Sequence, residues 1–351
     1  MTATAPNRSA SPTASQDGTF QIRDIIQSLP KACFEQDPVQ AWGRVVLSVA
    51  AVALSYVFLA IAPWYLLPFA WAFAGTALTG FFVIAHDCGH RSFSKRRWVN
   101  DWVGHIFLLP LIYPFHAWRI LHNYHHTHTN KLDVDNAWQP CKPEEYGQLN
   151  SGIQVGYRAL RSYFWWVGSI AHWLKLHFDW TTFEGKERQQ VKLSVLVVLG
   201  FALIAFPTLI LTTGVWGFIK FWVMPWLGYH FWMSTFTLVH HTAMEIPFKP
   251  ASEWNAVEAQ LVGTVHCDYP RWVEVLCHDI SVHVPHHIST AIPSYRLRMA
   301  HQSLKENWGD YVRERRFDWT LIKEIVNECH LYERDRNYQS FKDYHLNNTN
   351  A

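Results

Sequence analysis

The sequence predicts an all-α integral membrane protein, with four spanning helices in two hairpins and a helical cap on one side of the membrane. Three observations carry that expectation. Two long blocks, 45–85 and 193–239, are almost free of charge, and each is about twice the roughly 20 residues that one spanning helix needs. Between and after them the chain turns polar, and histidines recur there in three tight groups. Aromatic residues make up 16% of the chain and include 19 Trp, a composition suited to a membrane–water interface.

The elements follow in order. Residues 1–20 are rich in Ser, Thr, Ala and Pro, lack the apolar core of a secretory signal, and read as a disordered tail. Residues 21–44 form a short amphipathic approach, with Ile22, Ile25, Ile26 and Leu29 at near-helical spacing. The first hairpin, 45–85, contains no Lys, Arg, Asp, Glu or His. Pro63-Trp64-Tyr65 sits near its middle; Pro breaks a helix and Trp and Tyr favour the interface, so the spans fall near 45–62 and 66–85. In 86–191, charges and histidines alternate with apolar runs at 106–115 and 163–170. These runs are too short to span and hold Pro110, Pro114 or Gly168, which suits helices lying along the membrane surface or buried. A further span at 102–121 is the alternative, opposed by Asp101, His105, His116 and Arg119. The second hairpin occupies 192–239. Thr212-Thr213-Gly214 divides it into spans near 193–212 and 217–239, and Lys220 lies near a span end, where it can snorkel. Residues 240–351 form a polar domain whose short apolar runs read mainly as helices.

Charge sets the orientation. The two hairpin turns carry no Lys or Arg, and apart from Lys220 every basic residue lies on the other side. The positive-inside rule makes that side cytoplasmic, and all three histidine groups fall on it. The net charge of +2 gives no reason to expect a nucleic-acid partner. Six scattered cysteines without a C-x-x-C pair argue against a disulfide framework or a cysteine zinc site.

The histidine groups are His86-Asp87-Cys88-Gly89-His90, His122-Asn123-Tyr124-His125-His126 and His283-Val284-Pro285-His286-His287. On a helix, spacings of three and four put the imidazoles of each group on one face. Imidazole is a good ligand for iron, zinc, copper and nickel, and eight or nine of them imply two metal ions. Neither H-x-x-H-H segment has the Glu of the zinc-protease motif, so a hydrolase would lack its general base.

The order of these boxes, with two spans between the second and third, resembles the membrane fatty acid desaturases. The flanks at 80–92, 99–104, 113–130, 231–242 and 263–297, including Tyr269-Pro270-Arg271-Trp272-Val273-Glu274-Val275-Leu276-Cys277-His278-Asp279-Ile280, are most similar to the cyanobacterial acyl-lipid delta-12 (omega-6) group. The resemblance implies a cap carrying a non-haem di-iron site bound by His86, His90, His122, His125, His126, His283, His286 and His287. It implies a ninth ligand between the last span and the third box, where His241 is preferred to His240. Some relatives place a water-holding Asn one turn earlier; Thr237 stands there in this chain, which leaves that role open. The implied reaction removes two hydrogens from an oleoyl group of a membrane glycerolipid and forms a cis double bond at delta-12. Dioxygen becomes two waters, and two electrons enter from outside.

The residues present show no iron–sulfur cysteine pattern and no G-x-G-x-x-G fingerprint, so a separate donor is expected, by resemblance reduced ferredoxin. Arg91, Lys95, Arg96 and Arg97 could attract an acidic partner or serve only as a flank on lipid headgroups. The resemblance fits the plasma or thylakoid membrane. An omega-3 desaturase and a hydroxylase share the same metal boxes and stand as rivals. A haem carrier would need histidines inside the spans, where only His230 lies.

Metal-bound histidines usually donate their second nitrogen to a carboxylate or carbonyl. Asp87, Asp101, Asp135, Asp268 and Asp279 are the candidates for that role. His128 falls off the helical face of the second box. His105, His116, His172, His177, His266 and His301 read as interfacial or structural, and Cys88 as a packing residue.

Overall fold

A computed structural model of the chain describes residues 20–349. The expected tail lies outside the described residues, apart from Phe20, whose ring packs edge-on against Trp308 at 4.9 Å. Helix α1 (Ile22–Ser28) buries Ile25 against Val284, Ile288, Leu304 and Trp308, so the amphipathic approach holds down the segment that carries the third histidine box.

Asp37 and Pro38 start α2 (Pro38–Ile61): the carboxylate accepts the free amide of Val39 at 2.9 Å, and Pro fits the first helical turn. The helix therefore begins about two turns before its charge-free stretch. The chain turns at Ala62 and Pro63 and returns as α3 (Leu67–Gly89), which runs through His86. Next come α4 (Arg97–Leu108) and α5 (Phe115–His128). Ile112, at φ 54°, lies between them, so 102–121 is not one helix and no further span forms there. Three short helices follow: α6 (Pro143–Gln148), α7 (Ser151–Arg161) and α8 (Gly168–Leu176).

Helix α9 (Gly185–Phe218) leads through the wider turn Ile219–Val223 into α10 (Met224–His241). Within α9, Gly214 adopts φ 73° and ψ 175°, a conformation open essentially to glycine alone, so the chain departs from helical geometry at the predicted divide. Three helical stretches among the described residues are long and apolar enough to cross a membrane: Pro38–Ile61, Trp64–Gly89 and Gly185–His241. Their outer faces are apolar and bare, with Ile61 75% and Leu211 85% exposed. Such a surface suits lipid rather than water.

The C-terminal part holds α11 (Arg271–Leu276), α12 (His283–Ile288), α13 (Leu297–Trp308), α14 (Trp319–Glu328) and α15 (Phe341–Thr349). It also adds four short strands to a fold that is, as expected, mostly helical. Strand β1 (Val265–Asp268) pairs in parallel with β2 (Arg313–Arg316), and β3 (Leu331–Glu333) pairs antiparallel with β4 (Asn337–Gln339). The Arg-Glu-Arg-Arg of β2 has no apolar alternation, so its strand form comes from its partner rather than from any local pattern.

Helix α3 is the axis of the core, where Leu78 and Phe82 bury with Trp118, Tyr229, Trp232, Phe236, Tyr269 and Cys277. Helices α3 and α10 cross at two glycines. A Cβ on Gly75 would lie 2.6 Å from Gly228 Cα, and nearby Trp232 Nε1 donates to Thr76 Oγ1 at 2.7 Å. This crossing fixes the ends of both helices, which carry His86 and His241. Gly75→Val is expected to cost about 1–3 kcal/mol, because a backbone neighbour cannot move aside. A lowered thermal midpoint of the detergent-solubilised variant would register it; an unchanged midpoint would refute the close crossing.

Candidate metal centre

Four helices deliver the histidines. The end of α3 supplies His86 and His90, α5 supplies His122, His125 and His126, the last turn of α10 supplies His241, and α12 supplies His283, His286 and His287. All nine meet in one place and divide into two groups. Ring nitrogens of His86, His90, His122, His126 and His286 lie within 4.8 Å of one another, as do those of His125, His241 and His287. His283 joins the second group, its Nε2 standing 2.8 Å from His241 Nε2 and 3.0 Å from His287 Nε2. The spacing of α5 places its three histidines on one face, yet the helix sits between the groups and divides them: His122 and His126 serve the first, His125 the second.

The nitrogen separations match a metal's coordination sphere. His86 to His286 is 3.1 Å, His122 to His126 is 3.2 Å and His125 to His241 is 3.3 Å, all between Nε2 atoms. Imidazole nitrogens bound at about 2.0–2.1 Å to one ion stand roughly 3.0–3.4 Å apart. Hydrogen bonding alone does not account for the set, since His283 Nε2 faces two neighbours with one proton or one lone pair to offer. Both ring nitrogens of His90 are buried without any hydrogen-bond partner. An all-imidazole set of this kind fits first-row metals such as iron.

Protonation agrees. Burial, reinforced by neighbouring imidazoles, holds His90, His122, His126, His283, His286 and His287 well below the ordinary histidine value. Neutral rings present the lone pairs that a metal needs.

Of the five candidate aspartates, Asp135 alone hydrogen-bonds a box histidine. Its Oδ1 lies 2.7 Å from His125 Nδ1, and the carboxylate also accepts the amides of Asn130 and Ala137. Asp87 stands 3.6 Å from His86 Nδ1 and accepts the Ser294 amide. Asp101 pairs with Arg91, Asp279 with Arg44 and Arg298, and Asp268 meets His266. These three lie in the box flanks yet bind arginines or a non-box histidine. Two outer partners escaped the sequence reading. Gln260 Oε1 accepts from His287 Nδ1 at 2.8 Å while its amide donates to the His126 carbonyl, and Thr129 Oγ1 lies 3.3 Å from His287 Nδ1. Gln260 is 27 residues from His287, and no local spacing marks it.

The remaining histidines have other duties. His240 stacks on Phe236, with a 6° angle between ring planes. His128 stacks on Tyr124, away from the centre. His105 bonds Asp101 and Ser194, and His230 bonds Ser169. His266, His301 and Glu314 form a further metal-sized group, but Lys305 already sets its ammonium 2.8 Å from Glu314 and supplies a cation. Burial lowers His172, His301 and His330 from 6.5 to about 4. Between those values the unfolded chain binds protons that the folded chain refuses. Stability is therefore full above 6.5 and is lost as the pH falls toward about 4. A thermal midpoint that drops steadily between about pH 7 and pH 5 is expected; a midpoint that rises on acidification contradicts it.

A cavity of about 440 Å³ adjoins the centre, within the size range of small-molecule sites. His86, His122, His125, His241 and His283 line it, together with Phe82, Val83, Leu121, Met233 and Phe236. Thr237 lines it too, with its hydroxyl spent on the Met233 carbonyl at 2.8 Å.

Apolar spanning helices that converge on buried imidazoles beside an apolar cavity define a membrane protein with a candidate metal centre. The chain belongs to the fatty acid desaturase family, whose sequence profile matches residues 62–319. It is 63% identical over 328 residues to the sn-1 oleoyl-lipid 12-desaturase of Anabaena variabilis, covering 93% of this chain and 94% of that protein. It is 57% identical to the sn-1 oleoyl-lipid 12-desaturase of a Synechocystis species, covering 97% and 98%. The chloroplastic omega-6 fatty acid desaturase of Spinacia oleracea is 55% identical, over 92% of this chain and 72% of that protein.

Proposed function

We propose that the chain is an acyl-lipid desaturase that forms a cis double bond at the delta-12 (omega-6) position of oleoyl chains in membrane glycerolipids, converting oleate to linoleate. The observation that carries this reading is the junction of nine histidines with one largely apolar cavity. The names of the similar cyanobacterial proteins support it, and with them we assign the sn-1 chain as substrate.

Four spans are part of the proposal. The 57-residue stretch Gly185–His241 is far longer than a bilayer is thick, and Gly214 offers the point at which it turns back. The segments then follow the expected division: a tail at 1–20, an approach at 21–44, hairpins at 45–85 and 192–239, and cytoplasmic parts at 86–191 and 240–351. The boxes face the cytoplasm, in the plasma or thylakoid membrane of a cyanobacterium.

His86, His90, His122, His126 and His286 would hold one iron, and His125, His241, His283 and His287 a second. Iron supplies the dioxygen-dependent redox chemistry that an unactivated methylene requires, since no acid or base can remove its hydrogens. The protein's share is positional. Asp135 orients His125 through Nδ1, Gln260 orients His287, and the apolar wall holds an acyl chain and keeps water out. Electrons come from reduced ferredoxin. Arg91 is paired with Asp101, whereas Lys95, Arg96 and Arg97 are exposed and offer an acidic donor a basic surface.

Expression in a host whose lipids contain oleate tests the reading. Linoleate should appear in the lipids and be missing from an empty-vector control. A hydroxy acid, a double bond at another position, or no change overturns it.

A further inference from the structure

The cavity beside the metal centre holds open polar atoms that the histidine cluster does not explain. Arg161, the last residue of α7, is 4% exposed and lines this cavity. Its Nη2 donates to the backbone carbonyls of Trp138, at 2.6 Å, and of Gln139. Its guanidinium lies over the Trp138 ring at 5.2 Å. Tyr157 also meets the guanidinium, with its ring centroid at 5.6 Å and its hydroxyl as a side-chain partner. Among the described residues no carboxylate pairs with Arg161, and Nη1 has no partner within hydrogen-bond distance. Gln139 Oε1, lining the same cavity, is also buried without a partner, but as an acceptor it has nothing to offer another oxygen. Lys175, the other Lys or Arg in the lining, is exposed and keeps its charge in water.

A buried guanidinium without a counter-ion is costly, and a donor left unmade adds to the cost. A ligand oxygen would remove that penalty. Leu160, Met233 and Phe236 give the same cavity an apolar wall. An oleoyl chain matches that combination, because its sole hydrogen-bond acceptors are the oxygens at its carboxyl end. The number of free donors selects among them. A carboxylate or phosphate is held best by a two-pronged guanidinium fork, but Nη2 is already spent on two backbone carbonyls. One open amino group suits one neutral acceptor.

We propose that Arg161 binds the ester carbonyl oxygen of the acyl chain through Nη1. This rests on the desaturase reading above. Arg161 is then a positioning residue: by fixing the ester, it sets which carbons of the chain come to the metals.

The test expresses the full chain, Arg161→Leu and Arg161→Lys in an oleate-containing host. Lipid double-bond positions, iron per protein and protein per membrane are measured for each. The unaltered chain should make linoleate; if it does not, the desaturase reading fails and the subsite is not at issue. For Arg161→Leu, conversion should fall about tenfold, with new double bonds scattered around carbon 12 and with iron and protein levels retained. Arg161→Lys should restore part of the rate and sharpen the position. Unchanged rate and position in Arg161→Leu overturn the proposal. So does a loss that tracks iron or protein level, which marks a structural role. So does an unaltered position with a changed distribution of product among lipid headgroups, which places the contact on the headgroup.

Discussion

Replacing His286 by Ala is expected to remove both metal and activity. His286 stands 3.1 Å from His86, and its ring centroid lies 4.5 Å from that of His126 and 4.9 Å from that of His90. Its loss opens the first group on the side that α12 closes. Outer partners of a ligand are worth roughly 10–100-fold in metal affinity or activity, and a ligand itself should cost more. Linoleate should fall to the level of the empty host, and iron per chain should drop by at least half. His128→Ala is the matched control on α5: its ring stacks on Tyr124 outside the centre, and both readings should stay unchanged. A His286→Ala protein with full iron and full conversion would remove this residue from the ligand set.

Asp135→Asn should show the next largest effect. The carboxylate is buried and bonded three ways: to His125 Nδ1 at 2.7 Å, to the Asn130 amide at 2.7 Å and to the Ala137 amide at 3.0 Å. Asn keeps the shape and removes the charge that fixes the His125 tautomer and strengthens its nitrogen as a donor to metal. Metal affinity and conversion should each fall about 10–100-fold. A chelator titration of the purified protein reads the first, and lipid analysis the second. Asp87→Asn is the comparison: with 3.6 Å to His86 Nδ1 it should change affinity far less. Equal losses in the two variants would refute the distinction drawn from these distances.

Much of this could be read from the chain, and the reasons are local. A block without charge marks a span because a charge in lipid is expensive, and Gly214 marks a break because only glycine holds its backbone angles there. Box spacing places imidazoles on one helix face because the helix period is fixed. What escaped depends on distant partners. The assignment of His125 away from His122 and His126 is decided by α10, which brings His241 beside it. Gln260 joins two boxes across the fold, and Arg161 reaches the cavity only because α7 folds back onto Trp138. The β2 strand exists through its pairing with β1. Even the aspartate ranking followed three-dimensional distance: Asp101 and Asp279 lie in the box flanks yet bind arginines.

The division of the centre among α3, α5, α10 and α12 also bears on the order in which the protein is made. His126 leaves the ribosome long before His286 and His287, with the 57-residue helical stretch Gly185–His241 in between. At typical synthesis rates that interval lasts on the order of ten seconds. During that time neither group is complete, since the first lacks His286 and the second lacks His287. If the two groups hold metal as proposed, its capture would be a late step of biogenesis. A nascent chain stalled before α12 would hold all three candidate spans yet lack part of both histidine groups.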